Sequence, residues 1–270
     1  MKKTLATTIS LGLSALAFAQ APTPAPAAPA AAKLDDATVK QRVSYAIGYQ
    51  SAFSLASAGL KGSDFNNDAM LEGFLEGLAG GELKFKPAEL DAAMQQLKGL
   101  VDARDAKVGE ANLAKSDAFF AENGKKDGVV TTESGLQYTI IEKGGEKKYV
   151  APEQLQNGQD MQSEFLVNYR GTLLDGTEFD KSPEGQPLPL TLQVIPGFGE
   201  ALKSMPVGSK WKVFIPAKLA YGPQRQSAKL EPNSALIFEL ELTEIRKRQM
   251  PQNLPFQLPQ GALPQGHPGQ

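Results

Sequence analysis

The sequence predicts an α+β protein in two parts: an all-α front half that ends in a long connecting helix, then a curled antiparallel β-sheet wrapped on one short helix. Three observations predict it. The apolar period is helical from Lys33 to about Asn123, it switches to two after Gly128, and a single helical segment, PGFGEALKSM, interrupts the strands.

Lys2 and Lys3 precede an apolar run from Leu5 to Phe18, and Ala17-Phe18-Ala19 offers the small-x-small pattern of a cleavage site, so residues 1–19 read as an export signal. A membrane anchor needs about 20 continuous apolar residues. This run is shorter and is interrupted by Thr7, Thr8, Ser10 and Ser14. With no cysteine for lipidation, the mature chain is expected not to insert into a membrane. The periplasm is the expected location, with outer-membrane association or secretion left open. Residues 20–33 are nearly all Ala and Pro and read as an extended spacer.

Residues 34–125 read as a helical dimerisation domain with its stalk. Val39, Val43, Ala46 and Ile47 share one helix face, and Met70, Leu71, Phe74, Leu75 and Leu78 another. Asp68 is placed to cap the second helix, and Gly80-Gly81 to end it. A third helix is expected from Pro87, a favoured first-turn position, with Leu90, Met94, Leu97, Val101 and Val108 at spacings of three and four. Unbroken to Asn123 it is about 55 Å long, too long to hide in a compact domain of this size. Pairing of two chains through the shorter helices follows as an expectation, and the alternative is a stripe folded back on its own helices.

Residues 128–248 carry the strands. Leu136, Tyr138 and Ile140 alternate, as do Phe165, Val167 and Tyr169, then Trp211, Val213 and Ile215, then Leu236, Phe238, Leu240 and Leu242. Asp175-Gly176 supplies a tight hairpin. Four or five strands and the helix beginning at Pro196 bury their apolar faces together only if the sheet curls over that helix. Residues 249–270 repeat Pro, Gln and Gly and read as a disordered tail that holds the sole histidine, His267.

Composition narrows the chemistry. Zero cysteines exclude disulfides and thiolate nucleophiles, and a lone histidine in a tail excludes histidine catalysis in practice. Loss of the leader removes two lysines and no acid, so the formal charge moves from -2 to -4 and nucleic acid is not an expected partner. No cofactor or metal is expected. Gly197-x-Gly199 is only a fragment of a phosphate-binding fingerprint, and the acids from Asp175 to Asp180 lack calcium-loop spacing. What remains is an apolar cup of Tyr169, Phe179, Val194, Ile195, Phe198, Tyr221 and Phe238 with one acid, Asp180; aromatics at strand spacing are equally read as plain core.

The segments VNYRGTLLDGTEFDKS, VIPGFGEALKSMPVGSKWKVFIP, LAYG and PNSALIFELELTEI, in this order, resemble the FK506-binding-protein (FKBP) class of peptidyl-prolyl cis-trans isomerases. The front segments YAIGYQSAF and LEGFLEGLAGGELKF, with the long helix after them, are similar to the dimerising domain of exported two-domain members of the macrophage infectivity potentiator type. The resemblance implies an FKBP-like fold, rotamase activity on X-Pro bonds, proline-containing or unfolded polypeptides as clients, chaperone activity, a homodimer, and binding of macrolide inhibitors.

By the same resemblance, Phe198 forms the floor under the proline ring, and Tyr169, Phe179 and Phe238 form walls with Val194. The Ile195 N–H and the Tyr221 hydroxyl donate to substrate carbonyls, and Asp180 faces the twisting amide. Two alternatives stand beside these roles: Asp180 capping the turn that follows it with Ser182 nearby, and Tyr221 as a surface phenol ending a strand. The chain departs from the family pattern in three places. Phe198 stands where tryptophan is frequent, Leu190 where a wall phenylalanine is common, and the loop GPQRQSAKLEP, with Gln226, Lys229 and Leu230 at the rim, lacks the usual glycine-rich apolar sequence. The connection EKKYVAPEQLQNGQDMQ also looks longer than the family's. Two other readings compete: a dimeric holdase that keeps the fold with little turnover, and a scaffold that binds peptidoglycan or another partner through its proline-rich tails.

Overall fold

The computed structural model describes residues 34–153, 155 and 160–248. The expected signal, spacer and tail, His267 included, lie outside the described residues. The chain divides into two compact units, one ending at Tyr49 and one beginning at Gln50. Of the first unit only the opening turns of helix α1 (Asp36–Ser57) are described. Asp35 starts that helix, its carboxylate accepting from the Thr38 N–H at 2.9 Å and the Thr38 hydroxyl at 2.7 Å.

In the second unit, α2 (Asn67–Leu78) is capped by Asn66, whose side chain accepts from the Ala69 N–H at 3.0 Å. Asp68 therefore does not cap it; it lies in the first turn, where its charge suits the helix dipole. Gly80, with φ +71, turns the chain out of the helix. The long helix α3 runs unbroken over Pro87–Asn123 with proline in its first turn. The Glu89 carboxylate accepts from the Lys86 N–H at 2.9 Å and completes the start. No residue of α1 or α2 is buried, whereas α3 buries Val101, Gly109, Ser116 and Asn123.

Seven strands follow: β1 (Val130–Thr131), β2 (Gln137–Glu142), β3 (Ser163–Leu173), β4 (Glu178–Lys181), β5 (Leu188–Leu190), β6 (Ser209–Ile215) and β7 (Leu236–Lys247). The count exceeds the four or five expected because β1, β4 and β5 are too short to show a period. The order is β1-β2-β6-β7-β3-β4, with β5 also on β3, and every pairing is antiparallel. The β3–β4 hairpin closes over three residues, Leu174 to Gly176: Leu173 N–H donates to Thr177 O at 2.9 Å, and Gly176 takes φ +87.

Register shifts at Ile140/Glu142, Leu166/Val167 and Gly171/Thr172 bend the strands, which lets the sheet curl. Its concave face stacks Phe165 and Val167 of β3, Trp211, Val213 and Ile215 of β6, and Leu236, Phe238, Leu240 and Leu242 of β7, all buried. Helix α4 (Pro196–Ser204) lies in that curl and buries Phe198, Ala201 and Leu202 into it. The opposite face is polar, as at Lys212 and Glu239, except where Phe119 of α3 packs on Phe214 with centroids 5.7 Å apart.

The long connection before β3 is a staple on the sheet. The Tyr149 ring packs on Phe165 at 5.6 Å, and its hydroxyl donates to Asp160 at 2.9 Å. Asp160 in turn accepts from the Gln162 and Ser163 N–H groups at 2.8 and 3.0 Å, which aligns the first residues of β3. Val207 N–H donates to Lys147 O at 2.7 Å and pins the other end.

Candidate functional site

β3, β4, α4 and β7 bring four rings together at one end of the curl. Phe238 on β7 meets Phe198 at 5.1 Å, Phe179 at 5.5 Å and Tyr169 at 6.2 Å, and Tyr169 meets Phe198 at 6.0 Å. All four contacts are edge-to-face, the geometry favoured by the ring quadrupoles. Phe198 and Phe238 are 4% and 5% exposed and form the base; Tyr169 and Phe179 are half-buried.

The backbone explains how the rings come so close. Gly171 pairs with Phe238 across β3 and β7. A Cβ there would stand 2.7 Å from the Phe179 ring and 2.8 Å from the Phe238 ring, so only glycine lets both lie over the strand. Phe198 enters from the first turn of α4, where Pro196 sets the helix start and Gly197 passes close to Ile215. Clefts of about 180 to 370 Å³ lie against α3 and on the outer sheet face. With Phe198 and Phe238 buried beneath the half-buried Tyr169 and Phe179, the aromatic site is a dish open on one side.

Polar groups stand on its rim. The Tyr169 hydroxyl donates to Asp180 at 2.8 Å, so the acid beside Phe179 is tied to a ring of the dish. The turn-capping alternative for Asp180 is not what this geometry offers. Ser182 instead bonds the Tyr169 backbone, accepting from its N–H at 3.0 Å. Burial, then the Asp180 bond, pushes the Tyr169 hydroxyl well above the ordinary phenol range. Tyr221 is 39% exposed, and burial followed by the Asp180 charge raises its hydroxyl as well. Both phenols thus stay protonated, hence donors, at any pH near neutral.

Among the described residues, neither the Tyr221 hydroxyl nor the Ile195 N–H has a protein acceptor. Val194 and Ile195 are half-buried on the approach to α4 and pack on the same core, as does Leu230 from the rim loop. Leu190 stands opposite Phe165 on β5 and also packs on the core. Lys229 reaches over from the loop and donates to Glu178 O at 2.9 Å, while Gln226 is exposed. Sequence reasoning missed Gly171, whose need appears only when two rings converge on it. It also missed Arg225 of the rim loop, whose partner is 120 residues away. No group of metal-ligating side chains occurs among the described residues, and none of their helices is long and apolar enough to cross a membrane.

The geometry can be set beside known proteins. Residues 40–140 match the family described as the domain amino terminal to FKBP-type peptidyl-prolyl isomerase, and residues 152–243 match FKBP-type peptidyl-prolyl cis-trans isomerase. The chain is 37% identical over 216 residues to the outer membrane protein MIP of Legionella longbeachae, covering 78% of this chain and 87% of that protein. It is 36% identical to the FKBP-type 22 kDa peptidyl-prolyl cis-trans isomerase of Escherichia coli K12, covering 77% and 96%. The crystal structure of FkpA from Escherichia coli superposes with a TM-score of 0.50 at 30% identity, covering 80% of this chain and 98% of that one. With both halves matched and relatives of this identity spanned almost end to end, the chain belongs to the FKBP-type peptidyl-prolyl cis-trans isomerases.

Proposed function

We propose that this enzyme turns X-Pro bonds of exported polypeptides on the aromatic dish, with the proline ring on Phe198 between Tyr169, Phe179, Val194 and Phe238. The observation that carries the reading is the pairing of four edge-to-face rings with two unspent donors, the Tyr221 hydroxyl and the Ile195 N–H, beside the Tyr169–Asp180 bond. Prolyl exchange is opposed by a barrier of about 18 to 20 kcal/mol from amide resonance, and no bond is made or cut. The site need only favour the twisted amide over the planar one. A fall from about 100 s to about 10 ms is a ten-thousandfold gain, or roughly 5.5 kcal/mol. Moving a planar amide, whose oxygen carries charge, into an apolar dish costs more than moving the twisted one. Asp180 is the polar group that faces the twisting amide.

The test is a proline-limited refolding assay with wild type and Tyr221→Phe. Wild type should speed the slow phase, and the variant should raise KM about fivefold, the worth of one hydrogen bond of about 1 kcal/mol. An unchanged kcat/KM would retire the donor role. A holdase with no turnover would suppress aggregation and leave the slow phase alone.

The remaining assignments complete the reading. Residues 1–19 direct export to the periplasm, 20–33 and 249–270 are spacer and tail, 34–125 form the arm and 128–248 the isomerase domain. The arms join two chains, supported by the exposure of Val43, Tyr45 and Phe53 on α1 and of Leu71, Phe74 and Leu78 on α2. Two sites in one dimer would hold an unfolded client at raised effective concentration, which is chaperone behaviour. Phe198, Leu190 and the altered rim loop are the positions on which macrolide affinity turns.

A further inference from the structure

The loop from Gly222 to Ala235 separates Tyr221 from β7 and supplies Leu230 to the rim, so its placement decides where both stand. It is not held by the sheet alone. Arg225 is 11% exposed, and its guanidinium forks onto Asp105 of α3, with Nη2 at 2.7 Å and Nε at 3.0 Å. It also donates to Ser227 O at 3.3 Å within the loop. Seven residues further along the same helix, Asn112 donates to Pro232 O at 3.0 Å. Between them Gly109 O accepts from the Asn233 side chain at 3.2 Å.

Asp105, Gly109 and Asn112 follow the spacing of one helix face, so the whole loop is registered on a single stripe of α3. The approach is close on purpose: a Cβ at Gly109 would meet Asn233 and Pro232 at 3.2 Å. On the other side, a Cβ at Gly59 would meet Arg225 Nε at 3.0 Å. Asn233 itself sits at φ +54, the one non-glycine residue with positive φ among those described, and its N–H closes the loop on Gly222 O at 2.8 Å. The pair is part-buried, and a bidentate arginine fork fixes direction, which lysine cannot imitate.

We propose that the Arg225–Asp105 fork is a positioning device through which the stalk helix α3 sets the Tyr221 and Leu230 rim of the proline site. The inference rests on reading the aromatic dish as that site. Substrate binding therefore depends on a residue of the helical half that touches no substrate. The stalk is then part of the specificity apparatus as well as a spacer.

The experiment uses the full chain and a proline-containing tetrapeptide. Asp105→Asn loses the charge and is expected to raise KM about fivefold with kcat within about twofold of wild type. Asp105→Glu keeps a carboxylate on the same helix face and should restore at least half of the loss. Arg225→Lys should stay impaired. Melting temperatures of the three variants separate misfolding from misplacement, because KM is compared only among variants that melt as wild type does, and Asp105→Glu provides the pair if Asp105→Asn does not. Wild-type KM in Asp105→Asn, or equal impairment in Asp105→Asn and Asp105→Glu, would overturn the inference. The dish is tested apart from it by Phe238→Ala: full activity there removes both readings, whereas a crippled Phe238→Ala beside an unaffected Asp105→Asn removes only the fork.

Discussion

The sheet unit and the helical arm bury their apolar residues in opposite ways. On the sheet, Phe165, Val167, Val213, Ile215, Leu240 and Leu242 have no exposed surface at all. On α2, Met70, Leu71, Phe74, Leu75 and Leu78 are between 45% and 72% exposed. Burial of one large aliphatic side chain contributes about 1.5 to 3 kcal/mol, so the first set accounts for a domain that holds itself together. A helix of 12 residues with nothing buried has no such support. The difference teaches that the same chain contains a finished core and an exposed apolar stripe, and that stripe is where the proposed pairing of two chains would find its cover.

The largest expected effect breaks that comparison directly. Phe74→Lys with Leu78→Lys places two charges on the exposed stripe, and the proposed dimer should dissociate at least about a hundredfold more readily, read by sedimentation equilibrium. Activity on a tetrapeptide should persist, since neither residue approaches the rings. A variant that remains dimeric at wild-type affinity would locate the cover elsewhere.

A pair of single methyl groups sharpens the same contrast. Gly171→Ala drives a Cβ into Phe179 and Phe238, and the overpacking should cost about 1 to 3 kcal/mol and lower kcat/KM about tenfold. Gly73 lies mid-helix in α2, and a Cβ there meets nothing within 4 Å. Gly73→Ala should therefore stabilise by about 0.5 to 1 kcal/mol through helix propensity alone. If it destabilises instead, the open space of the single chain is filled by a second one, and thermal melts at two protein concentrations distinguish the cases.

The long elements were legible because their periods repeat. α3 begins and ends at the residues its proline and its apolar spacing indicate, and the alternation of β3, β6 and β7 marks the concave face. The short strands were not legible, since two to four residues carry no period, and Asn66 displaced Asp68 as a cap because the extended backbone stands at Asn66 while Asp68 is already helical. The rings of the dish were nameable from their motifs, but their spacing rests on Gly171, a residue with no side chain to signal it. The Arg225–Asp105 fork was beyond reach for a further reason. Two charges 120 positions apart are paired by the fold and by no local rule.

The smallest effect concerns the staple that precedes β3, where the finished core meets an irregular segment. Burial first, then the bond to Asp160, raises the Tyr149 hydroxyl to about 12, against an ordinary phenol value of about 10. The pKa is higher in the folded state than in the unfolded one, so this contribution is fully present below about pH 10 and is lost as pH rises toward about 12. Tyr149→Phe removes the bond and its titration together. Wild type should melt about 2 to 4 °C above the variant at pH 8, and the gap should begin to narrow near pH 10 and close as pH rises to about 12. Both chains carry the same lysines, so their difference isolates the phenol. Equal melting of the two chains at pH 8 would mean that Tyr149 holds the staple through its ring on Phe165, which phenylalanine keeps, with the hydroxyl contributing nothing.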